Sequence, residues 1–307
     1  MSEVPPSKVP AWKKYESMKW VGSTPSSSVF SAIYTKADGS NQTVLMKTIL
    51  GPNSERIGLI EAEIMSRIPP HHLICQFKET FLDPHGRRVI VMEFCEGVDL
   101  QKYLQTCVKA ERKIAPQKIV KIMAQIFAAI AHLHEHRIFH GDIKPANIML
   151  NEKDDGTVHI KIIDFGMSAH FDAIIQRVQG SPLYFSPEIA HQCRKAHEQK
   201  EQGYTIDHTS DMWALGVVIL EMLYCEEEYK PFFLHAAKNR NDIEKILRSL
   251  SFDRTPFPQT LLQNEDPNVC FLARIAQRCL SLDKSQRPTA QQIFEELTGR
   301  IAELGDA

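Results

Sequence analysis

The sequence predicts an α+β protein of two lobes, a small β-rich N-terminal lobe followed by a larger, mainly helical C-terminal lobe. Three observations predict it. Between Trp20 and Val91 short apolar runs ("SSVFSAIYT", "QTVLMKTI", "CQFKETF", "RVIVMEF") are separated by the turn signals "KADGSN" and "DPHG", the pattern of hairpins. After "MEFCEG" the hydrophobic period becomes that of helices. The chain has 307 residues, 43% hydrophobic and 24% charged, ordinary globular composition and enough for two joined lobes.

In chain order, residues 1–14 are Pro- and Lys-rich and are expected to be a flexible lead-in. The folded domain is expected over 15–304, with an N-lobe at 15–95 and a C-lobe at 96–304. One helix interrupts the N-lobe strands, "SERIGLIEAEIMSRI". Its Ile57, Ile60, Ile64, Met65 and Ile68 follow the 3.6 period, and "PP" ends it. In the C-lobe, "APQKIVKIMAQIFAAIAHLHEH" carries Ile119, Ile122, Met123, Ile126, Ile130 and Leu133 on one face, with Pro116 in its first turn. "SDMWALGVVILEML" is apolar nearly all round and is read as a buried helix. "TAQQIFEELTGRIAEL" opens with Thr289 and Gln292 at capping-box spacing. A ligand is expected where the lobes meet.

Some classes are excluded. A net charge of −2 argues against electrostatic binding to nucleic acid or an anionic membrane. "MSEVPPSKVPAWKK" lacks the apolar core of a signal peptide, and no apolar run is long enough for a membrane span. The seven cysteines are scattered without a C-x-x-C pair. They are expected to be reduced thiols of a cytoplasmic or nuclear protein.

The chemistry is concentrated in "HGDIKPANIML" and "IKIIDFG". Phosphoryl transfer needs oxygen ligands for Mg²⁺, a group to orient the attacking hydroxyl, and cations to absorb developing charge. Asp142, Lys144, Asn147 and Asp164 supply all of these. Either tripeptide alone would be weak evidence; their combination at this spacing is specific.

At these residues the sequence resembles the eukaryotic protein kinases, over about residues 18–304. The resemblance implies a two-lobed kinase fold, ATP and Mg²⁺ as cofactors and a protein substrate. By it, Asp142 would orient the substrate hydroxyl, Lys144 would contact the transferred phosphate, and Asn147 and Asp164 would bind Mg²⁺. "TVLMK" resembles the third-strand motif, so Lys47 would hold the α/β-phosphates. Its partner would be Glu61 rather than Glu63, because apolar residues follow Glu61 at the family's spacing (Ile64, Met65, Ile68). "VMEFCEG" resembles the hinge, with Met92 as gatekeeper and the backbone of Glu93 and Cys95 on adenine. Gly22, Val29, Leu45 and Met149 would complete the nucleotide site, and Asp99 would reach the ribose or a substrate side chain. Met65, Phe77, His140 and Phe165 match the apolar column of active kinases, and they read equally as core.

Small-molecule kinases also use H-G-D. Lys144, the segment "GSPLYFSPE", and "DMWALG" with "RPT" favour the protein kinases of Ser/Thr type. Ser181 would bond to Asp142 and Lys144. Glu188 would pair with a buried Arg287, and Asp211 would be a structural residue opening the matching C-lobe segment.

The sequence departs from the family in four places. In "GSTPSSSV" Thr24 and Ser27 replace two glycines of the phosphate-covering loop, and Pro25 has no N–H. Leu45 replaces a smaller residue above adenine. Gly141 stands where an Arg grips an activation-loop phosphate. At the position phosphorylated in NIMA-related kinases, which this segment somewhat resembles, stands Arg177. Acceptor and grip are both missing, so activation by loop phosphorylation is not expected. Finally, residues 189–209 read as an exposed insertion. The resemblance leaves the subfamily open. Met167 after DFG implies Ser over Thr, while basic preference stays open with Ala146, Asp99 and Glu221. The leading expectation is an active kinase. The alternative is a pseudokinase scaffold, favoured by the altered loop and Leu45 and opposed by the complete catalytic set.

Overall fold

The computed structural model describes residues 11–171, 173–175, 180–192, 204–224 and 257–305. The chain forms two compact units, the first running to His71 and taking in Cys75–Cys95, the second taking in His72–Ile74 and the chain from Glu96.

The first unit is a five-stranded antiparallel sheet in the order β1-β2-β3-β5-β4. Its strands are β1 (Tyr15–Thr24), β2 (Ser27–Thr35), β3 (Asn41–Ile49), β4 (Phe77–Leu82) and β5 (Arg88–Glu93). Period-2 alternation sorts the faces. Tyr15, Ala32, Val44, Met46, Val89 and Val91 form one buried cluster, with Tyr34 and Phe81 against it. On β3 the alternate residues are Leu45, Lys47 and Ile49, and helix α1 (Ser54–Arg67) packs on β3, β4 and β5.

Three expectations need correction. Residues 11–14, expected within a flexible lead-in, form a 3-10 turn, held by a 2.8 Å ion pair between Lys14 and Glu79. Residues 1–10 lie outside the described residues. The first strand begins at Tyr15 rather than Trp20, because the Tyr15 ring joins the core and its hydroxyl donates to Glu79. In α1 the buried face is Gly58, Glu61, Ala62, Ile64 and Met65. Ile57 and Ile60 are about half exposed (47% and 50%) despite their helical period. Gly58 sets this rotation: a Cβ there would lie 2.5 Å from Arg88 Cγ, so only glycine lets the helix approach β5 this closely.

In the second unit, α3 (Pro116–Glu135) buries the predicted face of Ile119, Ile122, Met123, Ile126, Ile130 and Leu133. It packs on α6 (Ala290–Gly305) and β9 (Val158–Ile162). Helix α4 (His208–Tyr224) is buried nearly all round and packs on α5 (Pro267–Cys279). A short helix, α2 (Leu100–Lys109), follows β6 (Val98–Asp99), which pairs with β8 (Ile148–Glu152), itself paired with β9. Four further short strands matter for the site: β7 (Ile138–Phe139) pairs with β10 (Ala169–His170), and β11 (Ile174–Ile175) pairs with β12 (Tyr204–Thr205). The architecture is thus α+β, a β-rich N-terminal unit and a mainly helical C-terminal one. Among the described residues no helix is long and apolar enough to cross a membrane.

The capping box of α6 is formed in both directions. Thr289 N–H donates to Gln292 Oε1 at 2.9 Å, and Gln292 N–H donates to Thr289 Oγ1 at 3.2 Å. Thr289→Ala is therefore expected to lower stability by about 1 kcal/mol, read from the urea midpoint at unchanged slope. The cysteines Cys75, Cys95, Cys107, Cys270 and Cys279 are free, and burial pushes the Cys279 thiol up to about 12. Cys193 and Cys225 lie outside the described residues.

Candidate active site

In the first unit, β3 presents Lys47 to α1. Lys47 Nζ lies 2.7 Å from Glu61 Oε1, with the lysine 14% and the glutamate 3% exposed. Glu63 is exposed. Leu45 stands opposite Ser31 on β2 and the buried Met92 on β5. The β1–β2 turn is tight, with Thr24 opposite Ser27. Gly22 and Val29 are register partners at its base. Thr24 Oγ1 lies 2.9 Å from Ser27 Oγ and accepts the Ser26 N–H at 3.3 Å. Hydroxyl contacts thus occupy the turn where glycines were expected, and Pro25 has no N–H to offer. At the end of β5, Glu93 N–H donates to Gln76 O at 2.9 Å. The Cys75 and Cys95 thiols lie 3.6 and 3.9 Å from Glu93 O.

In the second unit the catalytic loop hangs from buried side chains. Asp211, at the start of α4, accepts the His140 N–H at 2.8 Å and the Gly141 N–H at 2.9 Å, and lies 2.9 Å from His134 Nε2. Burial works to raise the Asp211 pKa, but the His134 hydrogen bond, the neighbouring histidines and the Gly141 N–H outweigh it and hold it below the usual range. His140 clamps the loop internally. Its Nδ1 accepts the Asp142 N–H at 3.3 Å and its Nε2 lies 3.1 Å from Ile163 O, so the carbonyl fixes the Nε2–H tautomer. Its ring is 5.2 Å from that of Phe165.

Around Asp142 the predicted residues converge. Lys144 Nζ is 2.5 Å from Asp142 Oδ2 and donates to Ser181 Oγ at 2.8 Å. Asn147 Nδ2 donates to Asp142 O at 2.8 Å and to Oδ2 at 3.0 Å. Asp142 Oδ1 is buried and has no hydrogen-bond partner among the described residues. An unmet buried acceptor costs about 1–3 kcal/mol, so the loop holds one oxygen in reserve. Asp164 adopts φ 64°, a conformation rare outside glycine, and Gly166 N–H lies 3.4 Å from its Oδ1.

The remaining predicted residues have contacts of their own. Asp99 is the N-cap of α2, accepting the Lys102 N–H at 2.8 Å and pairing with Lys102 Nζ at 2.9 Å. Met149 stands opposite Asp99 on β8. Glu221 accepts from the Tyr184 hydroxyl at 3.0 Å. Glu188 and Arg287 form a two-pronged pair at 2.5 and 2.8 Å. Arg177 and most of the predicted insertion (193–203) lie outside the described residues. Within the described residues, β11 of the loop after DFG pairs with β12, inside the expected insertion.

Gly141 has a structural reason of its own. Its φ is +79°, and a Cβ there would stand 2.5 Å from the Met167 carbonyl oxygen. Gly141→Ala is expected to destabilise the protein by about 2 kcal/mol, read as a lower urea midpoint. Sequence reasoning missed His134, whose partner Asp211 lies 77 residues on; no local pattern marks it.

Residues 15–297 match the protein kinase domain, and the chain belongs to the protein kinase family. It is 31% identical over 240 residues to serine/threonine-protein kinase ULK3 of Rattus norvegicus, covering 77% of this chain and 44% of that protein. It is 28% identical over 290 residues to serine/threonine-protein kinase Nek11 of Mus musculus, covering 92% of this chain and 40% of that protein. Calcium-dependent protein kinase 32 of Arabidopsis thaliana is 29% identical over 238 residues, 76% of this chain and 38% of that one. The chain thus spans less than half the length of these relatives.

Proposed function

We propose that this chain, through a kinase domain at 15–304, transfers the γ-phosphoryl group of ATP to protein serine hydroxyls. The observation that carries the reading is Asp142, whose Oδ2 is held by Lys144 and Asn147 while Oδ1 is left without a partner. That oxygen accepts the substrate hydroxyl hydrogen and aims the oxygen lone pair in line with the phosphorus. Lys144 sits where charge grows on the transferred group. Lys47, fixed by Glu61, holds the α/β-phosphates. Glu93 and Cys95 bind adenine through their backbone.

The donor set fits Mg²⁺. Asn147 commits its amide nitrogen to Asp142, which leaves its carbonyl oxygen, and Asp164 adds a carboxylate; hard oxygen ligands are what this cation takes. These residues would hold Mg²⁺, which would supply charge neutralisation of the phosphate oxygens. The reduced thiols suit a cytoplasmic or nuclear setting.

The same reading includes independence from loop phosphorylation. Gly141 lacks the side chain that would grip a phosphate. The Ser168 hydroxyl is buried and donates to His140 O at 2.8 Å, and the Ser181 hydroxyl accepts from Lys144. Pairing of β11 with β12 supplies another hold on the loop.

The alternative is a scaffold that binds ATP weakly. The Thr24–Ser27 turn and Leu45 favour it, since both act on nucleotide binding. Transfer from radiolabelled ATP to matched Ser and Thr peptides separates the readings. Incorporation into the Ser peptide by wild type but not by Asp142→Asn supports the kinase. Preference for the Thr peptide overturns the role given to Met167, and no incorporation by either protein establishes the scaffold.

A further inference from the structure

The last turn of α3 carries a cluster outside the site described above. His132, Glu135 and His136 are spaced i, i+3 and i+4 and so share one side of the helix. One potential ligand atom from each lies within 4.8 Å of the others. The two imidazole rings are 4.6 Å apart. Both histidines are half-buried and Glu135 is exposed.

Two features beyond proximity point to a cation. His136 Nδ1 lies 2.8 Å from the His132 carbonyl oxygen. A carbonyl only accepts, so Nδ1 carries the hydrogen and Nε2 keeps its lone pair, the arrangement found in metal-ligating histidines. The cluster also sits at a helix C-terminus, where the backbone dipole favours positive charge. Two imidazoles and a carboxylate suit a borderline metal such as zinc, with water completing four-coordination. They do not suit Mg²⁺, which takes oxygen ligands.

We propose that His132, Glu135 and His136 form a Zn²⁺ site, separate from the oxygen ligands of the catalytic loop. The ligand atoms, all within 4.8 Å of one another, are near enough for a single tetrahedral ion to hold. The metal would brace the turn that leads through Arg137 into the catalytic loop. His134, between the ligands in sequence, holds Asp211 beneath that loop.

Calorimetric titration of the whole chain with Zn²⁺, in excess Mg²⁺, tests this. A wild-type site that weakens by at least about tenfold in the His132→Gln/His136→Gln double variant, and less in Glu135→Gln, supports it. Equal affinity in wild type and double variant overturns it and assigns the zinc to the thiols. Wild-type NMR supplies a test that does not depend on the variants folding. One equivalent of Zn²⁺ is expected to shift the ring signals of His132 and His136 and to slow amide exchange in the last turn of α3. Unmoved His132 and His136 signals would also overturn the proposal.

Discussion

Asp142→Asn is expected to lower kcat by about 10²–10⁴-fold with little change in the ATP KM. The carboxylate has two tasks in the structure, divided between its oxygens. Oδ2 anchors Lys144 and Asn147. Oδ1, buried and unpartnered, is the acceptor available to an incoming hydroxyl. An amide keeps the shape but offers one acceptor instead of two, and its nitrogen donates. If that nitrogen takes the Oδ1 position, the hydroxyl loses its acceptor. If it takes the Oδ2 position, it faces the Lys144 ammonium. Either placement impairs transfer and leaves Lys47 and Glu61 untouched, so the effect belongs in kcat. Steady-state kinetics check it, and a kcat within tenfold of wild type would remove Asp142 from the chemistry.

Arg287→Ala is expected to have the largest effect on stability, about 3–5 kcal/mol, or roughly 10 °C in melting temperature. The guanidinium side chain is fully buried. It binds Glu188 through two nitrogens, donates to Ser281 O at 2.9 Å and Thr209 O at 3.0 Å, and lies 5.2 Å over the Trp213 ring. Alanine removes a donor from two carbonyls and the counter-charge from a partly buried carboxylate, and opens space beside a fully buried tryptophan. The pair also sets a pH dependence. Burial pushes the Glu188 carboxyl up, but the Arg287 hydrogen bonds and charge outweigh it, and its pKa in the fold lies below the ordinary 4.5. Its contribution is therefore present above that ordinary value and is lost as pH falls through the lowered one. Glu188→Gln is expected to flatten this acid limb of the stability curve, measured by thermal melts at successive pH values.

The helical part of the fold was legible because burial and period agree. The apolar face of α3 and the all-round apolar α4 can be read directly, and the α6 capping box is local by nature. Helix α1 shows the limit. Its apolar period includes Ile57 and Ile60, yet the helix turns Gly58 and Glu61 inward, since one allows close approach to Arg88 and the other meets Lys47. The pairs Lys47–Glu61 and Glu188–Arg287 could be anticipated from the family motifs that carry them. The His134–Asp211 contact, the β11–β12 pairing and the capping role of Asp99 could not, because each depends on where distant backbone comes to rest. Gly141 illustrates both. The family resemblance implies a missing phosphate grip; the structure adds a positive φ and a carbonyl where a side chain would start.

The central claim is a complete phosphoryl-transfer site that works without a loop phosphate. The most direct measurement is the rate of ³²P transfer from ATP to a serine peptide by wild-type protein treated with phosphatase and verified by mass as unphosphorylated. Transfer by the unphosphorylated protein is expected, with no rise in rate when Ser168 or Ser181 is stoichiometrically phosphorylated. Absence of transfer by the unphosphorylated protein, or a severalfold rise on phosphorylation, would contradict it.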